Sequence, residues 1–344
     1  MSRWSVAEPQ RLVFDEPVTA LRVRIVQGMV NIVGTDEGVP CLDVSALEGP
    51  PLIVTHKGGT LTVTYPAPTW RGFRKWLDCR GWRRSAVVSL TVPTDTRVDV
   101  GVVGAGTVIS GIEGRTEVRG VSGDTTLVGL SGAVHAETVS GSVEAQGLTG
   151  ALRFQSVSGD LTVVDGAGPS VRADSVSGSM IVDLTPAATA PAGHATDVNV
   201  NNVSGEIAIR LPHPADTEVE ANTTSGTVSN AFEDLRVTGQ LGTRRITGRL
   251  GAGQGKLKAT TISGGIALLR RPPAEDSPYD DRPPTSGDPT RPPASPQDQP
   301  GGRAADAPTS GPGTDGPRDR PTDEAASGAA CAPSGAGPTD KKVL

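Results

Sequence analysis

The chain is poor in cysteine, in long apolar runs and in positive charge. Its three cysteines, Cys41, Cys79 and Cys331, lie far apart and form no CxxC pair, which argues against both a disulfide framework and a zinc site of paired thiolates. No run of 18 apolar residues exists, so no segment has the composition of a membrane-spanning helix. The N-terminal stretch MSRWSVAEPQRLVFDEP lacks a basic segment followed by an apolar one. No signal peptide is read, and the cytoplasm is the expected location, with peripheral membrane association left open. The net charge of -6 gives no global field that favours nucleic acid, and none is expected as a partner. Aromatic residues reach only 3%.

Glycine and proline are plentiful, at 44 and 29 residues. A helical protein would avoid that much of both, whereas an all-β repeat with tight turns uses glycine at its corners. One phrase recurs: Val-Ser-Gly begins at Val121, Val139, Val157 and Val176, at intervals of 18, 18 and 19 residues. Val203-Ser204-Gly205, Thr224-Ser225-Gly226, Ile246-Thr247-Gly248 and Ile262-Ser263-Gly264 continue it at looser spacing. A period near 20 residues marks a solenoid, in which each repeat buries its core only by stacking on its neighbours.

With Val103, Val121, Val139 and Val157 aligned as position one, apolar residues or Thr recur at positions 1, 5, 7, 10, 14 and 16. The coil from Val139 carries Val139, Val143, Ala145, Leu148, Leu152 and Phe154 there. Pairs two apart predict short strands with one buried face. Each coil thus holds two strands joined by two turns, V-S-G and a second such as Gly129-Leu130-Ser131-Gly132. The V-S-G glycines are expected at φ > 0. Later coils are longer, and their extra residues, roughly Leu184 to Asp197, Leu211 to Thr217 and Ala231 to Gln240, fall at the second turn along one edge.

The fold class read from this pattern is all-β: a parallel β-solenoid of about 18-residue, two-strand coils with a disordered C-terminal tail. Residues 1–102 are assigned to N-terminal β coils or a cap with a basic aromatic insert at 66–85, residues 103–270 to the regular solenoid, and residues 271–344 to the tail. The tail holds sixteen of the 29 prolines, and its large apolar residues are Tyr279, Val343 and Leu344 alone. Such a segment buries too little apolar surface to offset the entropy of ordering.

The V-S-G-x-φ-x-φ units, where φ is an apolar residue, resemble those of the putative adhesin family, a bacterial β-solenoid family catalogued as a domain of unknown function. The resemblance covers about Val18 to Arg270. It implies a β-solenoid and a role in surface adhesion.

Candidate chemistry is thin. Ser122, Ser140, Ser158, Ser177 and Ser204 have no histidine recurring with them, so they read as turn caps and not as nucleophiles. The half-coil is similar in length to calcium-binding nonapeptide rolls, but Asp follows V-S-G only at Asp124 and Asp160, with Ser142, Ser179 and Glu206 elsewhere. That ligand set is incomplete, and no metal or other cofactor is expected. The insertion edge carries His194, Asp197, His213, Asp216, Glu233 and Asp234, a set suited to polysaccharide cleavage in its side-chain types but without HxH or HExxH spacing.

The sharpest local anomaly is the segment Trp70–Arg84, with three of the four tryptophans, six basic residues and one acid. Its candidate interaction surface is Trp70, Phe73, Arg74, Lys75, Trp76, Arg80, Trp82, Arg83 and Arg84. Aromatic and cationic groups so interleaved suit a partner protein or an anionic membrane surface. The competing readings are a lid over an open solenoid end and stacking on single-stranded nucleic acid. The function expected is a non-catalytic interaction or scaffold protein that self-associates as a homo-oligomer. An exported adhesin-like surface protein and a carbohydrate-active enzyme on the insertion edge are the alternatives.

Overall fold

The computed structural model describes residues 1–66, 84–185, 196–240 and 242–272. They contain 24 strands in one hydrogen-bonded network and, among the described residues, no helix. The described residues all fall within the compact unit Met1–Ser277. The segment read as a disordered tail lies outside them apart from Arg271 and Pro272.

Two parallel ladders make up the solenoid. On one, Thr107, Thr125, Val143, Leu161, Met180 and Ile207 stand in register across successive strands. On the other, Val98, Thr116, Val134, Leu152, Val171 and Val198 do the same. Stacking places equivalent residues roughly 4.8 Å apart along the axis. Positions 5, 7, 10, 14 and 16 point inward as expected: in the coil that begins at Val139, Val143, Ala145, Leu148, Leu152 and Phe154 are all buried.

Position one departs from that pattern. Val103, Val121, Val139 and Val157 are 46–51% exposed. The cause is strand parity. Thr116 and Val118 point inward, so Val121, at an odd offset, falls on the outer side as the chain enters its corner.

The coils are also not laid down in chain order at either end. Strand Ala20–Thr35 lies between Arg97–Ser110 on one side and the pair Thr60–Thr64 and Ser85–Pro93 on the other. At the far end, Gly255–Thr261 and Ile266–Arg270 sit between the coil of Asp197–Asn201 and Ile207–Leu211 and that of Thr217–Thr223 and Val228–Asn230. The spatial order of the last corners is therefore Ser204, Ser263, Ser225. Ile246-Thr247-Gly248 is not a corner at all. It lies inside strand Thr243–Leu250, which pairs antiparallel with Thr217–Thr223 and with Leu235–Gln240. Much of the expected insertion at Ala231 to Gln240 is thus a cap strand.

Antiparallel strands close both ends. At the N-terminal end, Ser2–Val6 pairs with Leu52–Lys57, and Gln10–Val13 pairs with Cys41–Glu48. Trp4, Phe14 and His56 pack edge to face beneath them, with centroids 5.4 and 5.9 Å apart. These antiparallel strands take up backbone N–H and C=O groups that the terminal coils would otherwise leave open, so the parallel stack stops there.

Candidate functional site: the Val-Ser-Gly edge

The corner chemistry repeats through the stack. The Val121 carbonyl accepts the Ser140 backbone N–H at 2.9 Å and the Ser140 hydroxyl at 3.1 Å. The Val139 carbonyl accepts the same pair from Ser158, at 2.8 and 3.2 Å. Ser177, Ser204, Ser263 and Ser225 continue the ladder. The serine hydroxyls are caps, as the sequence indicates, and each is committed to a carbonyl.

The glycines do a different job from the one expected. Gly123, Gly178 and Gly205 hold φ of +100°, +137° and +124°, but Gly141 and Gly159 lie outside the left-handed region. What the column shares is close approach. A Cβ on Gly141 would collide with the Gly123 carbonyl oxygen, one on Gly159 with Gly141, and one on Gly178 with Gly159. Hydrogen is the only substituent that fits between successive corners, and it leaves room for a Cα–H···O contact.

With carbonyls and hydroxyls turned along the axis, the side chains at position one face outward. Val103, Val121, Val139, Val157, Val176, Val203 and Ile262 form one straight aliphatic row, each 41–51% exposed. Six intervals of strand spacing give it a length of roughly 29 Å. Asp124, Asp160 and Glu206 line one side of the row, exposed, three residues after Val121, Val157 and Val203.

At its N-terminal end the row opens into a groove of about 400 Å³ lined by Ile25, Tyr65, Pro66, Arg84, Val103 and Val121. Tyr65 is 7% exposed, and its hydroxyl has no hydrogen-bond partner among the described residues. Burial pushes its pKa up, partly opposed by Arg84, whose guanidinium stands 6.0 Å from the ring centroid. Of the residues assigned to an interaction surface, only Arg84 falls within the described set. Trp70, Phe73, Arg74, Lys75, Trp76, Arg80, Trp82 and Arg83 lie outside it. The strands that flank their segment, Thr60–Thr64 and Ser85–Pro93, pair with the two halves of Ala20–Thr35, the first through Arg24 and the second from Gln27. The described residues on either side of that segment, Pro66 and Arg84, lie on the Val-Ser-Gly edge with Val103 and Val121.

Acids on both edges serve the fold: on the Val-Ser-Gly edge Asp124 accepts the Ser142 backbone N–H at 3.2 Å and Asp160 that of Ser179 at 2.6 Å, and on the opposite, second-turn edge two acids act in the same way. Asp216 accepts the Gln254 backbone N–H at 3.1 Å, and Asp197 accepts that of Lys256 at 3.0 Å. His194 lies outside the described residues. No group of three or more His, Cys, Asp or Glu is placed to hold a metal ion among the described residues. The exposed row was missed because apolar character alone does not separate an inward position from an outward one; its odd offset from the inward pair was the available signal.

No protein-family model matches the chain, and no curated protein matches it. Several solved structures align with most of it at very low identity and low TM-score. A putative adhesin from Bacteroides fragilis is 12% identical, with a TM-score of 0.43 over 76% of this chain and 98% of that one. A putative lipid binding protein from Parabacteroides distasonis is 10% identical, with a TM-score of 0.34 over 78% and 98%. A putative cell adhesion protein from Clostridium sporogenes is 9% identical, with a TM-score of 0.26 over 77% and 100%.

Proposed function

We propose that the chain is a non-catalytic interaction protein whose contact edge for a protein partner is the Val-Ser-Gly edge. The observation that carries this is the exposed aliphatic row from Val103 to Ile262. An apolar strip of that length on a surface otherwise rich in polar groups is what a partner surface covers. Asp124, Asp160 and Glu206 beside it disfavour an anionic membrane as the occupant and favour a partner with cationic groups at matching intervals. In this reading, Trp70–Arg84 supplies further tryptophan and arginine contacts. The cytoplasm is the proposed location, and cell fractionation tests it.

A photo-crosslinking residue at Val139 or Val157 of the full chain, expressed in its native cells, should capture a discrete protein. The same residue at Glu144 on the sheet face should not. Val121→Asp combined with Val176→Asp should remove the product. Equal capture from all three positions, or no loss in the double variant, would refute the assignment of this edge.

A further inference from the structure

A second surface stands on the outer face of the ladder that contains Val134–Thr138, away from the Val-Ser-Gly edge. Stacking brings the outward residues of successive strands into rows. One row begins with Arg22, Asp99 and Glu117, side by side in register, so that a cation is followed by acids. It then changes character. Arg153 stands directly beside Arg172, Arg172 beside Asn199, and Asn199 beside Lys258. Only after Lys258 does an acid return, at Glu220.

Like charges directly across a strand pair are destabilising unless a counter-charge stands between them. Asp99 and Glu117 are such a pair, and Arg119 lies against both carboxylates. Asp99 takes hydrogen bonds from Arg22 and Arg24, and Glu137 takes one from Arg119. Arg153 and Lys258 have no carboxylate partner among the described residues, and both are exposed. Arg172 has one, Asp174 at 3.5 Å, which also accepts a hydrogen bond from Asn201. His135, next to Arg153 in the row, lies 3.1 Å from Glu137. Beside Arg153 and Arg172 lies a shallow groove of about 330 Å³ whose rim includes Arg115 and whose floor is Ala133, Ala151 and Leu152.

We infer that the row Arg153–Arg172–Asn199–Lys258 is a binding site for a linear acidic polysaccharide. Four aligned side chains at strand spacing, roughly 4.8 Å, offer one donor group per sugar along an extended chain. Guanidinium groups bind carboxylates through paired N–H donors, and the Asn199 amide serves hydroxyls. The alanine floor lets a sugar ring approach the sheet closely. Between Arg153 and Lys258 the row has no Trp, Tyr or Phe on which bases would stack, and the neighbouring His135 ring is held against Glu137, which disfavours single-stranded nucleic acid. It also has no large apolar group to enter a bilayer.

The experiment is calorimetric titration of the full chain with oligogalacturonate at low salt, with methyl-esterified oligomer and neutral dextran as comparisons. The acidic oligomer should bind, more weakly as salt rises, and the two uncharged polymers should not. The variant Arg153→Gln/Arg172→Gln/Lys258→Gln should weaken binding by about tenfold or more, because its charge-assisted contacts are gone. Should that variant melt early, Arg153→Gln alone gives the same contrast, with a loss of about threefold and only partial recovery in Arg153→Lys, which keeps the charge but lacks the paired donors. Failure of the acidic oligomer to bind the native chain overturns the proposal. So does unchanged binding in the variants, or equal affinity for single-stranded oligodeoxythymidylate.

Discussion

Single residues in this molecule are constrained by the coil above and below them more than by their own turn. Gly141 shows it. Its φ lies outside the left-handed region, yet a Cβ there would overlap the Gly123 carbonyl oxygen. Gly141→Ala should therefore lower stability by about 1–3 kcal/mol, the range for inserting a group where backbone must shift. A calorimetric melt equal to that of the parent protein would show that the corners are looser than described. The inward threonines make the opposite case. The Thr107 and Thr116 hydroxyls are buried without a hydrogen-bond partner among the described residues. Neighbouring strands carry Val30 beside Thr107 and Val134 beside Thr116 at the same register positions. Thr116→Val removes an uncompensated hydroxyl at nearly constant volume and should raise stability by about 1 kcal/mol. A denaturant midpoint that falls would mean the hydroxyl has a partner.

Between elements, charge links strands that are far apart in sequence. Asp99 holds Arg24 at 2.8 Å and Arg22 at 3.2 Å, joining strand Arg97–Ser110 to Ala20–Thr35. Burial alone would raise the Asp99 pKa, but the hydrogen bonds and charges of Arg24 and Arg22 outweigh it and hold the carboxyl below its ordinary value. A carboxyl depressed in the folded state stabilises the protein above its unfolded pKa of about 3.9 and loses that contribution as pH falls through the folded value. Asp99→Asn should thus destabilise at pH 7, and the gap to the parent protein should narrow as pH drops below 4. Parallel melting curves at all pH values would rule out this ion pair as a stabilising link. At the C-terminal end, Arg271 bonds Asp183 and Asp165, two and three coil layers back from its own strand.

At the scale of the whole molecule, a continuous aliphatic core runs from Val6 to Leu268 and stops where the proline-rich composition begins. A chain ended after Pro272 keeps Arg271 and every buried apolar residue named in that core, so its melting temperature should match that of the full chain. A large drop would place part of residues 273–344 against the core.

The sequence by itself determined the repeat length, the two-strand coil, the inward positions and the serine-capped corners. All of these are local: they follow from period, parity and turn chemistry within about 20 residues. Tertiary structure alone decided which coil lies next to which. Chain order puts Thr217–Thr223 after Ile207–Leu211, yet Gly255–Thr261 takes the place beside Asp197–Asn201. Coils with the same inward pattern fit any neighbour in the stack, so pattern cannot rank them. The same physics hid the surfaces. The valine row became visible once the corners were seen to turn position one outward, and the row Arg153–Arg172–Asn199–Lys258 once the returning coil brought Lys258 beside Asn199.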